Sequence, residues 1–198
     1  MNPRPRVGWL PGLSCVMVLW LSSSVAAQTA PTWVVTIGGL STSGLGDCTD
    51  CEATHYFHTG SLLATLGRSL NPRTDLGVET IFVASKAAGN DRIRVSFLMA
   101  SVNFRPWVRR GFFIRTSAGM AFVHNWIFSH DNEESAFRSK AFALNLAAGW
   151  EWRTSGHFGA QVLGMQHVAA LGDLQTSEKT VENVMGNFWS VGAAVVIR

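Results

Sequence analysis

The chain has 198 residues, of which 47% are hydrophobic and 15% charged, and its formal net charge is +3. This length favours a single domain. The sequence has no basic patch interleaved with aromatic residues, which argues against nucleic-acid binding. After the N-terminal segment, no apolar run reaches the roughly 18 residues that a transmembrane helix needs.

The N-terminal segment has the three parts of a secretory signal peptide. Arg4 and Arg6 form a basic start, residues 16–21 (VMVLWL) are apolar, and residues 25–27 (VAA) make a small-residue cleavage site before Gln28. The sequence therefore predicts a signal peptide at residues 1–27 and one domain at residues 28–198. Removing the peptide takes away two arginines and leaves a net charge of +1. An apolar composition with so few charges is typical of strands that face lipid.

Eight segments of the mature chain alternate apolar side chains with small or polar ones, which is the pattern of β-strands. The clearest covers residues 142–153, where Phe142, Leu144 and Trp150 fall in the apolar row. In the fourth segment, Phe97 and Met99 fall in the apolar row and Arg94 in the other. The predicted strands cover residues 32–40, 61–70, 75–84, 92–104, 111–123, 142–153, 157–166 and 187–198.

The connections between these strands alternate in length. Long loops are predicted at residues 41–58, 124–138 and 169–182, whereas the turns around Asn71, Trp107 and Ser155 are short. In a meander of neighbouring strands, alternate connections lie at the same end, and tight turns at one end with longer loops at the other are typical of outer-membrane barrels. The sequence therefore predicts an all-β fold, an eight-stranded antiparallel up-and-down transmembrane β-barrel preceded by a cleaved signal peptide.

The apolar rows suit the outside of such a barrel, because lipid requires a closed sheet and tolerates few charges. The other rows hold glycine, alanine, serine and threonine together with a few larger polar residues. An eight-stranded barrel is just wide enough for side chains to fill it. We therefore predict a polar network in the lumen, with no open pore. Its predicted members are Glu79, Arg94, Arg115, Asn145, Glu151 and Gln161. Alternatively, Arg94 and Arg115 lie near strand ends and are solvated.

Several segments together resemble the bacterial outer-membrane β-barrel domain family, the small eight-stranded OmpA/OmpX-like barrels. They are GDCTDCE, SLLATLGRSLNPRTDLGVET, FLMASVNFRPW, FALNLAAGWEWR and WSVGAAVVIR. The resemblance implies an outer-membrane location, contact with lipid and lipopolysaccharide, and handling by the barrel-assembly machinery. It also implies a structural or surface-interaction role without a cofactor, and it leaves the external partner open. Family members usually end in an aromatic residue, whereas this chain ends in Ile197-Arg198.

Cys48 and Cys51 are the cysteines of the mature chain, in the first predicted loop. In an oxidising compartment we expect this close pair to form a disulfide. The alternative is a zinc site that adds His55 and His58, although the gap between the cysteines and the histidines is short for tetrahedral coordination.

Two other functions compete with the structural role. A lipid A-modifying barrel enzyme would need an activated serine beside a histidine near the membrane surface. Ser129, His130 and Asp131 are adjacent in a predicted loop, which rarely gives triad geometry, so we expect no enzyme activity. His124 and His167 are the other candidate catalytic histidines. A soluble periplasmic ligand-binding barrel would place its apolar rows inside and a charged surface outside.

Overall fold

The computed structural model describes residues 32–47, 55–86, 92–108, 110–130, 133–153, 157–175 and 180–198. The predicted signal peptide lies outside these residues. In the described part of the chain, no helix combines the length and apolar character needed to cross a membrane.

Eight antiparallel strands form one closed barrel in sequence order. Each strand pairs with its neighbours, and β1 pairs with β8 to close the sheet, from Val35 opposite Ile197 to Asp47 opposite Met185. The strands are β1 Trp33–Asp47, β2 His55–Asn71, β3 Thr74–Lys86, β4 Arg92–Phe104, β5 Phe112–His130, β6 Glu133–Arg153, β7 Phe158–Gln175 and β8 Thr180–Ile197. The predicted all-β fold, a closed antiparallel barrel of eight strands, is confirmed. We call the end that holds the β2–β3, β4–β5 and β6–β7 connections the turn end, and the opposite end the loop end.

Strand β6 shows which side of the sheet faces inward. Phe142 and Leu144 are 56% and 52% exposed on the outside, whereas Ala143, Asn145 and Glu151 between and beyond them are buried. A side-chain period of two places alternate residues on opposite faces of a strand. The prediction that the apolar row of this strand faces outward is therefore confirmed.

Strand β4 corrects the prediction. Val95, Phe97 and Met99 are buried inside the barrel, while Arg94 and Leu98 are exposed outside. The inward row continues through Ser101 and Asn103 without interruption, and the register shift between β4 and β5 lies at Arg94/Val95. Choosing the more apolar row as the outer one fails here because the interior itself is apolar at this level.

The long loops predicted from the sequence are mostly strand. Strand β5 continues to His130 and pairs with β6 as far as Glu133, and β7 and β8 pair as far as Gln175 opposite Thr180. The polar residues at the loop end therefore belong to paired strands, because strand pairing satisfies the backbone hydrogen bonds whatever the side chains are.

The interior divides into two layers along the barrel. Toward the loop end it is mainly apolar, with the Phe97 ring 5.3 Å from the His167 ring and 5.6 Å from the Phe188 ring. Toward the turn end it holds buried charges, including Glu79 and Arg115. The sequence predicted an interior of small residues with a few larger polar ones, and the large aromatic side chains of this layer were not predicted.

Candidate functional site

The centre of the charged layer is Glu79 on β3, whose side chain is fully buried. Its Oε2 accepts a hydrogen bond from Arg115 Nη1 at 3.1 Å, and its Oε1 accepts bonds from Ser117 Oγ at 2.9 Å and Asn145 Nδ2 at 2.7 Å. The carboxylate is carried by β3, and the side chains that donate to it come from β5 and β6. A buried carboxylate is tolerated when it is paired with a cation and its oxygens are hydrogen-bonded.

Gln161 on β7 links this centre to a second cluster at the turn end. Its Oε1 accepts from Arg115 Nη2 at 3.4 Å, and its Nε2 donates to Glu151 Oε2 at 3.1 Å. Glu151 also accepts two bonds from Arg198 Nη2, at 3.1 and 3.0 Å, and one from Arg153 Nε at 3.1 Å. This carboxylate is therefore surrounded by donors.

Arg105 completes the second cluster from the turn after β4. Its Nη2 bonds to Asp75 Oδ2 and lies 3.4 Å from Glu151 Oε2, and the residue is 1% exposed. Burial alone lowers the pKa of Arg105, but the hydrogen bond and charge of Asp75, with the charge of Glu151, outweigh it and raise that pKa above its ordinary value. The guanidinium therefore remains charged inside the mouth of the barrel.

The structure brings together five of the six residues predicted for the lumen. Glu79, Arg115, Asn145, Glu151 and Gln161 are buried and joined through the hydrogen bonds given above. The sixth is placed wrongly by the sequence: Arg94 is exposed on the outer face of β4. Its position follows from the reversed parity of that strand.

The outer face carries three contacts between serine and histidine side chains near the loop end. Ser96 Oγ lies 2.7 Å from His124 Nε2, and both side chains are on the outside of neighbouring strands. His58 lies 3.1 Å from Ser41 Oγ through Nε2 and 2.9 Å from Ser43 Oγ through Nδ1. Among the described residues, no carboxylate hydrogen-bonds to either histidine.

No protein-family model matches this chain, and no curated protein matches it by sequence. Solved structures do match. Neisserial surface protein A (NspA) matches with a TM-score of 0.57 and 11% identity, covering 85% of this chain and 99% of NspA. Ail, the attachment invasion locus protein of Yersinia pestis, matches with a TM-score of 0.52 and 12% identity, covering 83% of this chain and 97% of Ail. Ail in complex with the heparin analogue sucrose octasulfate matches with a TM-score of 0.50 and 12% identity, covering 85% of this chain and 100% of the Ail chain.

This chain has the fold of a small eight-stranded outer-membrane barrel. At such low identity the likeness concerns the fold alone.

At the turn end, four polar residues of the barrel interior were not predicted from the sequence. Asp75, Asn103 and Arg198 fall at the ends of predicted strands and Arg105 just beyond one, where the sequence does not distinguish a side chain in the barrel mouth from one in solvent. A usable signal was nevertheless present. Asp75 has the same parity as Glu79 on β3, so the period of two already placed it on the inner face.

The remaining predicted site residues are only partly described. Cys48, Cys51 and Asp131 lie outside the described residues, as do the side chains of His55, Ser129 and His130. The disulfide and the zinc alternative therefore stay predictions. Within the described part of the chain, no group of three or more His, Cys, Asp or Glu residues is arranged to hold a metal ion.

Proposed function

We propose that this protein is a small barrel of the bacterial outer membrane with a structural or surface-interaction role, and that it is neither an open pore nor an enzyme. The observation that carries the proposal is the arrangement of the two faces. Large apolar side chains cover the outside, with Leu62 65%, Val191 63% and Ile37 59% exposed, while the inside holds a bonded polar network. Soluble proteins rarely expose apolar surface on this scale.

The filled interior supports the non-pore part of the proposal. Arg115, Glu79 and Gln161 cross the barrel at one level, and Phe97 and Phe188 fill it at another. An ion would have to displace both layers to pass. The outward apolar rows also argue against the soluble periplasmic barrel, which requires the opposite arrangement.

Delivery to this location follows from the predicted segments. We propose that residues 1–27 are a signal peptide that is removed during export, and that the barrel-assembly machinery then inserts residues 28–198. On this view the turn end faces the periplasm and the loop end faces outward, as in outer-membrane barrels with short periplasmic turns.

Lipopolysaccharide is the surface partner that the outer face fits best. Arg94 on β4, His124 on β5 and Lys140 on β6 are all exposed near the loop end. Phe122 pairs with both Ser96 and Lys140, so these residues lie on adjoining parts of three neighbouring strands. Arg94 and Lys140 are the positive charges at this level, and such cations attract the phosphates of outer-leaflet lipid. Ail, which this chain resembles in fold, has been solved with a sulfated heparin analogue, also a polyanion.

Fractionation tests the location. Expressed with residues 1–27, the protein is expected in outer-membrane fractions, and the folded barrel is expected to run differently from the boiled protein on a detergent gel, because a closed barrel resists unfolding by detergent alone. A variant without residues 1–27 is the control and is expected to remain in the cytoplasm. A soluble product whose mobility does not change on boiling would overturn the proposal.

A lipid-modifying hydrolase is the second candidate, and the 2.7 Å contact between Ser96 Oγ and His124 Nε2 favours it. Activation of a serine normally needs a third group that orients the histidine, and among the described residues no carboxylate bonds to His124. We therefore expect cells expressing the wild-type protein, Ser96→Ala and an empty vector to have the same lipid A acyl pattern by mass spectrometry. Loss of an acyl chain with the wild-type protein, but not with Ser96→Ala, would establish the enzyme.

A further inference from the structure

A basic depression opens at the turn end, between the β4–β5 turn and the end of β6. It has a volume of about 250 Å³ and is lined by three arginines, Arg105, Arg110 and Arg153, against one carboxylate, Glu151. The lining therefore carries an excess of positive charge. A cavity of this size has room for a small oxyanion and its first waters.

The donors in this region exceed the acceptors. Glu151 already accepts from Arg105, Arg153, Gln161 and Arg198. Nevertheless, Nε and Nη1 of Arg105, a residue that is 1% exposed, have no hydrogen-bond partner within the part of the chain that the structure describes. Buried guanidinium N–H groups without acceptors are costly. Arg105 therefore contributes unneutralised positive charge from beneath the depression, and the more exposed arginines of the lining, Arg110 and Arg153, are the ones that an anion can reach.

Beside the depression, backbone contacts hold Gly111 against the end of β6. Glu151 N donates to Gly111 O at 2.8 Å and ties the turn to β6. Gly111 has a φ of 76°, and a Cβ there would lie 2.2 Å from Glu151 O, so only glycine fits this close approach. Gly111, the neighbour of Arg110, is thus held closely against β6.

Two further lining residues, Trp150 and Trp152, lie on the outer face of β6 and are 38% and 50% exposed. Tryptophan is enriched where membrane headgroups meet hydrocarbon. The depression therefore joins the charged mouth of the barrel to its lipid-facing surface at headgroup depth.

We propose that this depression binds the phosphate of an anionic phospholipid in the periplasmic leaflet. Arg110 and Arg153 approach the phosphate from the rim, and Arg105 attracts it by its charge from beneath without touching it, while the tryptophans contact the glycerol and the upper acyl chains. The inference rests on the proposed outer-membrane location and adds a lipid site at the end opposite the lipopolysaccharide contacts.

Native mass spectrometry of the folded barrel released from detergent tests the proposal, with phosphatidylglycerol and phosphatidylcholine titrated separately. We expect one phosphatidylglycerol to bind preferentially, because the choline cation is repelled by the basic rim. Arg110→Gln is expected to weaken this binding about fivefold to tenfold, the loss of one charge-assisted hydrogen bond. Arg110 is exposed and uses only its backbone N–H within the fold, to Trp107 O, so the variant is expected to fold.

Arg73→Gln is the matched control. Arg73 is exposed at the same end, in the β2–β3 turn, and does not line the depression, so its loss is expected to leave the affinity unchanged. Equal weakening by both variants, or equal binding of the two lipids, would overturn the site. Competition by inorganic phosphate at concentrations comparable to the lipid would assign the site to free phosphate and overturn the lipid. Gel mobility on boiling, measured on every sample, separates these outcomes from a failure of the barrel itself.

Discussion

Glu79→Ala is expected to destabilise the folded barrel by about 3–5 kcal/mol, because it leaves Arg115 charged and buried without its carboxylate. Ser117 Oγ and Asn145 Nδ2 also lose their acceptor. The free energy of unfolding is measured by urea titration of the barrel in lipid vesicles, followed by tryptophan fluorescence and by gel mobility.

Thr80→Ala is the matched control for this variant. Thr80 is the next residue on β3 and faces outward, so its truncation is expected to change stability by less than about 0.5 kcal/mol. The double variant Glu79→Met with Arg115→Met removes both charges and is expected to recover most of the loss, since apolar replacements of a buried ion pair are often neutral. A double variant as unstable as Glu79→Ala would show that the charge pair is not the cause.

Leu144→Arg is expected to destabilise the barrel in lipid vesicles by about 2–4 kcal/mol, the cost of a cation in the hydrocarbon region of a barrel. Leu144 lies in the outward row of β6 and is 52% exposed. The same urea titration measures the effect.

The control changes depth alone. Leu70 is 54% exposed at the end of β2, next to the turn at Asn71, and Leu70→Arg is expected to cost about 0–1 kcal/mol because it lies near the interface. If both substitutions have the same small effect, the outer face does not contact hydrocarbon and the proposed location is wrong.

The fold was predictable because period-two alternation is a local property that tertiary context rarely cancels. On β6, Phe142 and Leu144 alternate with alanines and Asn145, so the inner and outer faces are distinct in composition. On β4 both faces are apolar, with Phe97 inside and Leu98 outside. Hydrophobicity then does not distinguish the inner face of the strand from the outer one, and Arg94 was therefore predicted to lie in the lumen.

The loop end was mispredicted for a different reason. Polar residues near His130 and Glu133 were assigned to loops, but the backbone pairing of β5 and β6 continues through them. Pairing depends on the strand beside a residue, and a single sequence does not give the length of that partner. The same holds for Asp75 and Arg105, whose ion pair joins the start of β3 to the turn that follows the neighbouring β4.

Arg198 lies at the seam where β8 pairs with β1 and closes the barrel. Its guanidinium bonds to Glu151 on β6 and lies 3.5 Å from Asp75 on β3, while Ile197 beside it pairs with Val35 on the first strand and Phe158 on the seventh. A slip of one residue at this seam would turn the arginine to the opposite face and leave both acids without it. Arg198 therefore stabilises the observed alignment of the first and last strands over an alignment shifted by one residue.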